Sequence, residues 1–164
     1  VTTYALAMTH GLLGDEDNRA RWRDITAGLI LDPADLADCT TGWAPTFDAV
    51  VALERGRPEE AAERLSADID DPALWARFNA ALWRPWYAAA WAEAAVLAGH
   101  RHLQDRLDRA SLAVVQNPVA ARLVDRARAL AQGDGAGLER AGSALARLGC
   151  RYQARRTRQL SRQA

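Results

Sequence analysis

Residues 117–148 read NPVAARLVDRARALAQGDGAGLERAGSALARL, and apolar residues recur at helical spacing on both sides of Gly133. The first apolar stripe is Val119, Leu123, Ala127 and Leu130. The second is Leu138, Ala141, Leu145 and Leu148. Asn117 can cap a helix whose first residue is Pro118, and Gly133 can end it. The stretch therefore predicts two amphipathic helices joined by a tight turn.

The composition of the whole chain extends this prediction. The 164 residues include 36 Ala and 20 Leu against 8 Val and 3 Ile, which favours helices over strands. All 21 basic residues are arginine. The absence of lysine excludes lysine Schiff-base chemistry and a phosphate-binding loop that ends in Gly-Lys-Ser/Thr. We therefore expect an all-α protein.

Proline and glycine divide the chain into short segments. We read each proline as the first residue of a helix, and the six are Pro33, Pro45, Pro58, Pro72, Pro85 and Pro118. We place turns at Gly14, Gly99, Gly133 and Gly149. Gly99 and Gly133 lie 34 residues apart, which is the period of a tetratricopeptide repeat. These spacings predict about ten short helices in one domain, residues 1–164, arranged as an antiparallel helix-pair solenoid similar to a tetratricopeptide array.

Two C-terminal stretches carry a family resemblance: ARALAQGD at residues 127–134 and LGCRYQARRT at residues 148–157. They resemble the tetratricopeptide-like C-terminal region of large signalling ATPases from high-GC bacteria. That family includes LuxR-type transcriptional regulators and fusions of a nucleotide cyclase to an ATPase. The resemblance covers roughly residues 86–160. It implies a helical region that follows a nucleotide-binding core and senses an inducer or binds a regulatory protein.

The resemblance leads us to expect a non-catalytic C-terminal fragment of a larger signalling protein. No nucleotide-binding loop precedes the repeats, and no helix-turn-helix follows Arg162, so ATP hydrolysis and DNA binding are not carried over. We expect a protein partner or a small effector, with no cofactor. The first alternative is a nucleic-acid-binding helical domain, and the second is a small enzyme.

The densest chemical feature is aromatic. A candidate ligand or partner groove consists of Trp75, Phe78, Trp83, Arg84, Trp86, Tyr87 and Trp91, with further polar contacts from Arg77 and Asn79. Aromatic residues and arginine are enriched in interaction hot spots. The alternative is that the rings fill a core where an irregular repeat meets regular ones. We expect the helix to break or kink at Pro85.

The C-terminal helix carries basic residues on one face. Arg151, Arg155, Arg158 and Arg162, which we call the arginine stripe, follow Arg147 at helical spacing, and no acid occurs from residue 140 onward. The stripe could bind nucleic-acid phosphates or an acidic protein surface, or it could be a solvated cap on a terminal repeat. No aromatic platform is interleaved, so we expect this fragment not to bind DNA specifically.

Other polar clusters receive structural interpretations. His100 and His102 could bind zinc with Cys150 or Asp105, but no second ligand pair has matching spacing, so we expect turn histidines and no metal. The carboxylates at 15–17, 59–63 and 68–71 lie at predicted turns or helix starts, where acidic side chains stabilise the helix N-terminus. No serine lies in a Gly-x-Ser-x-Gly setting.

The net charge of zero conceals two opposed halves. Residues 1–71 carry 15 acids and 6 arginines, and residues 72–164 carry 6 acids and 15 arginines. Either the halves neutralise each other within a chain, or they support weak head-to-tail self-association. Cys39 and Cys150 have no metal-ligand spacing and suit a reducing compartment. No stretch is apolar enough to span a membrane and no secretory signal is visible, so we expect a cytoplasmic protein without membrane partners.

Overall fold

The structure, a computed structural model, describes residues 2–29, 42–76 and 78–162, with the backbone alone at 78 and 79. Every regular element in these ranges is a helix, and the protein is all-α there, as its composition predicts. The helices are α1 Thr2–Leu13, α2 Glu16–Gly28, α3 Ala44–Glu54, α4 Pro58–Arg64, α5 Pro72–Trp75, α6 Phe78–Leu97, α7 Leu103–Ala113, α8 Pro118–Gln132, α9 Gly135–Arg147 and α10 Arg151–Leu160. The chain forms two compact units, residues 1–87 and 88–164.

The first unit is built on an aromatic core. α1 packs against α2 and α3, and α3 packs against α4. The rings of Tyr4 and Trp43 meet edge to face, with their centroids 5.2 Å apart, and Phe47 packs on both. Gly11 allows α1 to approach α3 closely, because a Cβ atom there would lie 2.9 Å from Cγ2 of Val51.

The second unit is built on alanine and leucine. α7 packs against α8, α8 against α9, and α9 against α10. The alanine-rich part of α6 is buried, and so are the larger aliphatic residues Leu107, Val114, Leu123, Val124, Leu138 and Leu145. Leu148 departs from the predicted apolar stripe. It is 44% exposed because α9 ends at Arg147 and Leu148 lies at its C-cap.

Local capping chemistry sets most helix boundaries. Asn117 accepts a hydrogen bond from the backbone N–H of Ala120 at 2.9 Å, and Asp71 accepts one from Ala73 at 2.9 Å. Pro58, Pro72 and Pro118 begin their helices, and Pro45 is the second residue of α3. The predicted turn glycines all have positive φ: Gly14, Gly99, Gly133 and Gly149. These boundaries confirm the predictions made from glycine and from three of the prolines, while Pro45 lies one residue inside its helix.

The prediction that Pro85 begins a helix is wrong. Helix α6 begins at Phe78 and continues through Pro85 to Leu97. Proline cannot donate the hydrogen bond that a helix would send to the carbonyl of Ala81. Ala81 is exposed, so water can satisfy that carbonyl. The cost of the proline is therefore small enough for the packed side chains of α6 to outweigh it.

Several predictions concern residues outside the described ranges. The helix start at Pro33, the thiol of Cys39 and the polar contact from Arg77 are in this group, as are the side chains of Phe78 and Asn79.

Gly133 and Gly135 provide a matched test of the turn between α8 and α9. Gly133 has a φ of +62°, and Gly135 is the first residue of α9 with no positive φ. A Cβ atom would contact nothing within 4 Å at either position. Gly133→Ala should therefore lower the free energy of unfolding by about 1–2 kcal/mol through backbone strain alone. Gly135→Ala should raise it by up to about 1 kcal/mol.

Urea denaturation of the two variants checks this pair. Equal stability of Gly133→Ala and the parent protein would contradict the left-handed turn at that residue.

Candidate functional site

Two aromatic residues of the predicted groove anchor the first unit. Tyr87 is 1% exposed, and its hydroxyl donates a hydrogen bond to the carbonyl of Ala67 at 2.9 Å. Trp75 meets the Tyr87 ring edge to face at 5.4 Å and donates its indole N–H to the carbonyl of Ile69 at 2.6 Å. These two rings therefore fix the chain that leads into α5.

The neighbouring residues of α6 are less buried. Trp83 is half-buried, and its ring meets that of Phe47 edge to face at 5.0 Å. Trp86 is half-buried as well. Arg84 forms an exposed ion pair with Asp70 at 2.8 Å. The half-buried faces of Trp83 and Trp86 leave aromatic surface in contact with solvent.

Trp91 belongs to the second unit and is 2% exposed. The guanidinium carbon of Arg106 lies 4.4 Å from the centroid of its ring, and that of Arg109 lies 5.5 Å away. Both distances are typical of cation–π contacts. Within the described part of the chain, the buried indole N–H of Trp91 has no hydrogen-bond acceptor. Ring and cation packing therefore hold this side chain in place.

The burial of Tyr87 and Trp91 is that of core residues. Binding of a ligand or partner to the half-buried rings stays a prediction. The residues that could still take part from the surface are Trp75, Trp83, Arg84 and Trp86.

The most concentrated electrostatic site is a buried carboxylate in the second unit. Glu93 on α6 is 2% exposed, and its two oxygens accept hydrogen bonds from Arg126 on α8 and Arg156 on α10. Arg126 also donates to Oε1 of Gln153 at 2.8 Å and to Oγ1 of Thr157 at 3.3 Å. This network joins three helices whose residues lie far apart in the sequence.

The network sets the ionisation of Glu93. Burial by itself would raise the pKa of this carboxyl, but Arg126 and Arg156 outweigh burial and hold the pKa of Glu93 below its usual value. Within the described residues, Nε of Arg126 is buried without an acceptor. The site is thus a fixed carboxylate shared by two guanidinium groups.

The same network attaches α10 to the second unit. The buried residues of α10 are Ala154, Arg156 and Thr157, and none of them is a large aliphatic residue. The half-buried residues Tyr152 and Leu160 add partial apolar contact. Hydrogen bonds to charged groups therefore contribute to the attachment of α10, beside its apolar contacts.

This network was not predicted from the sequence, although the sequence contains one signal for it. Glu93 is the one charged residue between Arg84 and Arg101, and it stands among alanines. A lone acid on an apolar helix requires a cationic partner when it is buried. The identity of that partner depends on tertiary packing.

The arginine stripe lies on the solvent side of α10. Arg151, Arg155, Arg158 and Arg162 are all exposed, and Arg162 lies in the turn after α10. Arg147 does not belong to this helix, contrary to the prediction, because Gly149 turns the chain with a φ of +78° between α9 and α10. Nothing in the described ranges forms an ion pair with any of the four stripe arginines.

Two open grooves flank α9. The α8–α9 groove has a volume of about 780 Å³, and its lining includes ion pairs between Arg122 and Asp125 at 2.9 Å and between Arg140 and Asp134 at 3.0 Å. The α9–α10 groove has a volume of about 420 Å³ and is lined in part by Arg158 and Arg162.

The remaining polar clusters contain no assembled metal site. Nδ1 of His100 accepts a hydrogen bond from the backbone N–H of His102 at 3.1 Å. Burial, with Arg106 nearby, holds the pKa of His100 below its usual value. Over the described ranges, no group of three His, Cys, Asp or Glu side chains is placed to bind a metal ion. Asp15 and Asp71 cap α2 and α5, as expected for acids at helix starts.

Comparisons with known proteins give no further constraint. No protein-family model, curated protein or solved structure matches the chain. Of the helices that the structure describes, none is long and apolar enough to cross a membrane.

Truncation of two tryptophans tests the aromatic assignments. Trp91→Ala should lower the free energy of unfolding by about 3–5 kcal/mol, because it removes a buried ring. Trp83→Ala should cost less, because the ring is only half-buried. Thermal melts measure both losses. A small loss in both variants would instead favour an aromatic binding surface.

Glu93→Gln tests the buried carboxylate. The substitution leaves two buried guanidinium groups facing a neutral amide and should destabilise the protein by about 3–5 kcal/mol. Glu139→Gln, at an exposed position on α9, should change stability by less than about 0.5 kcal/mol. Chemical denaturation of both variants at neutral pH gives the comparison.

The pH dependence gives the same experiment a second readout. The pKa of Glu93 is lowered in the folded state, so its contribution is complete above the unfolded value of about 4.3. That contribution is lost as the pH falls through the folded pKa. Glu93→Gln should therefore lose less stability on acidification than the parent protein. Parallel acid-denaturation curves for the two proteins would contradict the assignment.

Proposed function

We propose that this chain is a non-catalytic helical repeat module through which a signalling or transcription-regulating ATPase binds a protein partner or a small effector. One observation carries the proposal. The helices α7 to α10 begin at residues 103, 118, 135 and 151, at intervals of 15 to 17 residues, and each packs on the next. Short connections favour antiparallel neighbours, which is the organisation of tetratricopeptide-like solenoids.

The α8–α9 groove supports recognition rather than catalysis. Two pairs of its charged residues neutralise each other, Arg122 with Asp125 and Arg140 with Asp134. Such exposed polar groups can supply hydrogen bonds to an extended partner. A groove of about 780 Å³ is large enough for several side chains of a peptide or for one small effector.

A nucleic-acid-binding domain is the second candidate. The observation in its favour is the arginine stripe, whose four guanidinium groups are exposed without an acidic partner in the described ranges. Such a surface binds phosphates with a strong dependence on salt concentration.

Site-specific photocrosslinking tests the binding function. A photoreactive residue at Ala136, which is exposed in the α8–α9 groove, should form a discrete crosslink in cells that express the full-length protein containing this chain. The same residue at Gln116, exposed in the turn before α8, should not form it. Excess unlabelled chain should compete with the Ala136 crosslink. Identical crosslinking at both positions would contradict a partner site in this groove.

The ATPase context requires a separate measurement. The reading frame upstream of Val1 should encode a nucleotide-binding core with a Gly-x-x-x-x-Gly-Lys-Ser/Thr loop. If the full-length protein has no such core, this part of the proposal is wrong, and the proposed binding function is unaffected.

A further inference from the structure

The arginine stripe is an unneutralised row of charge on a rigid helix. Arg151, Arg155 and Arg158 lie on one face of α10, and Arg162 continues the row, so the stripe extends over about 16 Å. The buried residue Arg156 projects from the other side of the helix, toward Glu93. The stripe therefore points away from the unit that holds α10 in place.

Some other exposed arginines of the chain are neutralised locally. Examples are Arg57 with Glu60 at 2.6 Å, Arg122 with Asp125 at 2.9 Å and Arg140 with Asp134 at 3.0 Å. None of the four stripe arginines has such a pair in the described ranges, and no acid occurs in the sequence from residue 140 onward. The exposed residues Arg21 and Arg101 also have no ion pair there, but they do not belong to a row of unpaired arginines, whereas the stripe aligns four of them. Its charge is thus available to an external anion.

The α9–α10 groove lies beside this row and has a different character. Arg158, Arg162 and Ser161 line it from the side of α10. Leu138, Gly142 and Ala146 line it from α9. The groove of about 420 Å³ thus combines small and aliphatic residues with cationic ones, and it can admit an aliphatic side chain.

We infer that the arginine stripe and the α9–α10 groove form one docking surface for an acidic amphipathic helix of a partner protein. Carboxylates spaced by three and four residues on that helix match the spacing of the stripe. Arginine binds carboxylates through two parallel hydrogen bonds. An aliphatic residue on the adjoining face of the partner helix enters the groove. This inference rests on the proposed binding function and specifies the partner.

Two observations favour a protein over a nucleic acid. Glu139 lines the α9–α10 groove, and its carboxylate would repel the phosphates of a duplex, which carries one charge per 1.7 Å. A peptide can place its few carboxylates on the stripe alone. The apolar residues of the groove, Leu138, Gly142 and Ala146, also favour burial of an aliphatic side chain, which a duplex does not carry on its backbone.

Fluorescence anisotropy tests this surface with a labelled helical peptide of about 16 residues, long enough to span the stripe. The peptide carries Glu at spacings of 4, 3 and 4 residues and Leu on the adjoining face. The same peptide with its sequence scrambled controls for net charge, and a duplex DNA of similar length is the competing probe. The patterned peptide should bind the full chain more tightly than either.

Two variants locate the binding. Arg155→Gln with Arg158→Gln should weaken peptide binding by about tenfold, because two charge-assisted contacts are lost. The matched control is Arg21→Gln with Arg101→Gln, which removes two exposed arginines outside the stripe and should change affinity by less than about twofold. Ala146→Trp should block the groove and weaken binding without any change in charge. Thermal melts verify that all variants remain folded.

Each other outcome overturns the inference. Equal binding of the patterned and scrambled peptides would show attraction by charge alone. Tight binding of DNA that Ala146→Trp does not affect would assign the stripe to nucleic acid. Absence of peptide binding would refute this surface, while the Ala136 crosslink would still report on the α8–α9 groove and hence on the proposed function.

Discussion

The carboxylate of Glu93 sets the position of α10, and much of the second unit depends on it. Moving a carboxylate and two guanidinium groups out of water costs several kcal/mol per ion, so the arrangement is stable only when their hydrogen bonds are formed together. Arg156 reaches Glu93 in the rotational setting of α10 that the structure shows. In that setting Ala154 and Thr157 face inward, and Arg151, Arg155 and Arg158 face solvent. The buried ion network thereby fixes the orientation of the exposed arginine stripe.

The first unit also contains a buried carboxylate, that of Asp48, with polar partners. Asp48 on α3 is 7% exposed and accepts hydrogen bonds from the hydroxyl of Tyr4 at 2.7 Å and from Arg19 at 3.0 Å. Burial, together with Asp48, raises the pKa of Tyr4 to about 12, so the phenol remains a donor over the physiological range. A large aromatic core surrounds this pair, so α1 does not depend on charge as α10 does.

The sequence was sufficient where structure depends on a few neighbouring residues. Asn117, Pro118 and Gly133 specify the ends of α8 through capping, a fixed φ and a left-handed turn, and all three act within their own segment. Pro85 and Arg156 could not be placed in this way. The helix through Pro85 depends on packing along α6, and the burial of Arg156 depends on a carboxylate 63 residues earlier. Helical periodicity identified the arginine stripe, but it could not show that Arg156, which lies between the stripe members in the sequence, turns inward.

Arginine suits both of these environments. A guanidinium group is planar, remains charged and is more weakly hydrated than an ammonium group, so it can share a buried carboxylate as Arg126 and Arg156 do. The same properties suit an exposed stripe, where the stem packs on the helix and the head reaches a planar anion. At physiological salt the Debye length is about 8 Å, shorter than the stripe. Its charge therefore acts mainly at contact. For that reason selectivity depends on how well an anion matches the spacing of the arginines and the groove beside them, rather than on attraction from a distance.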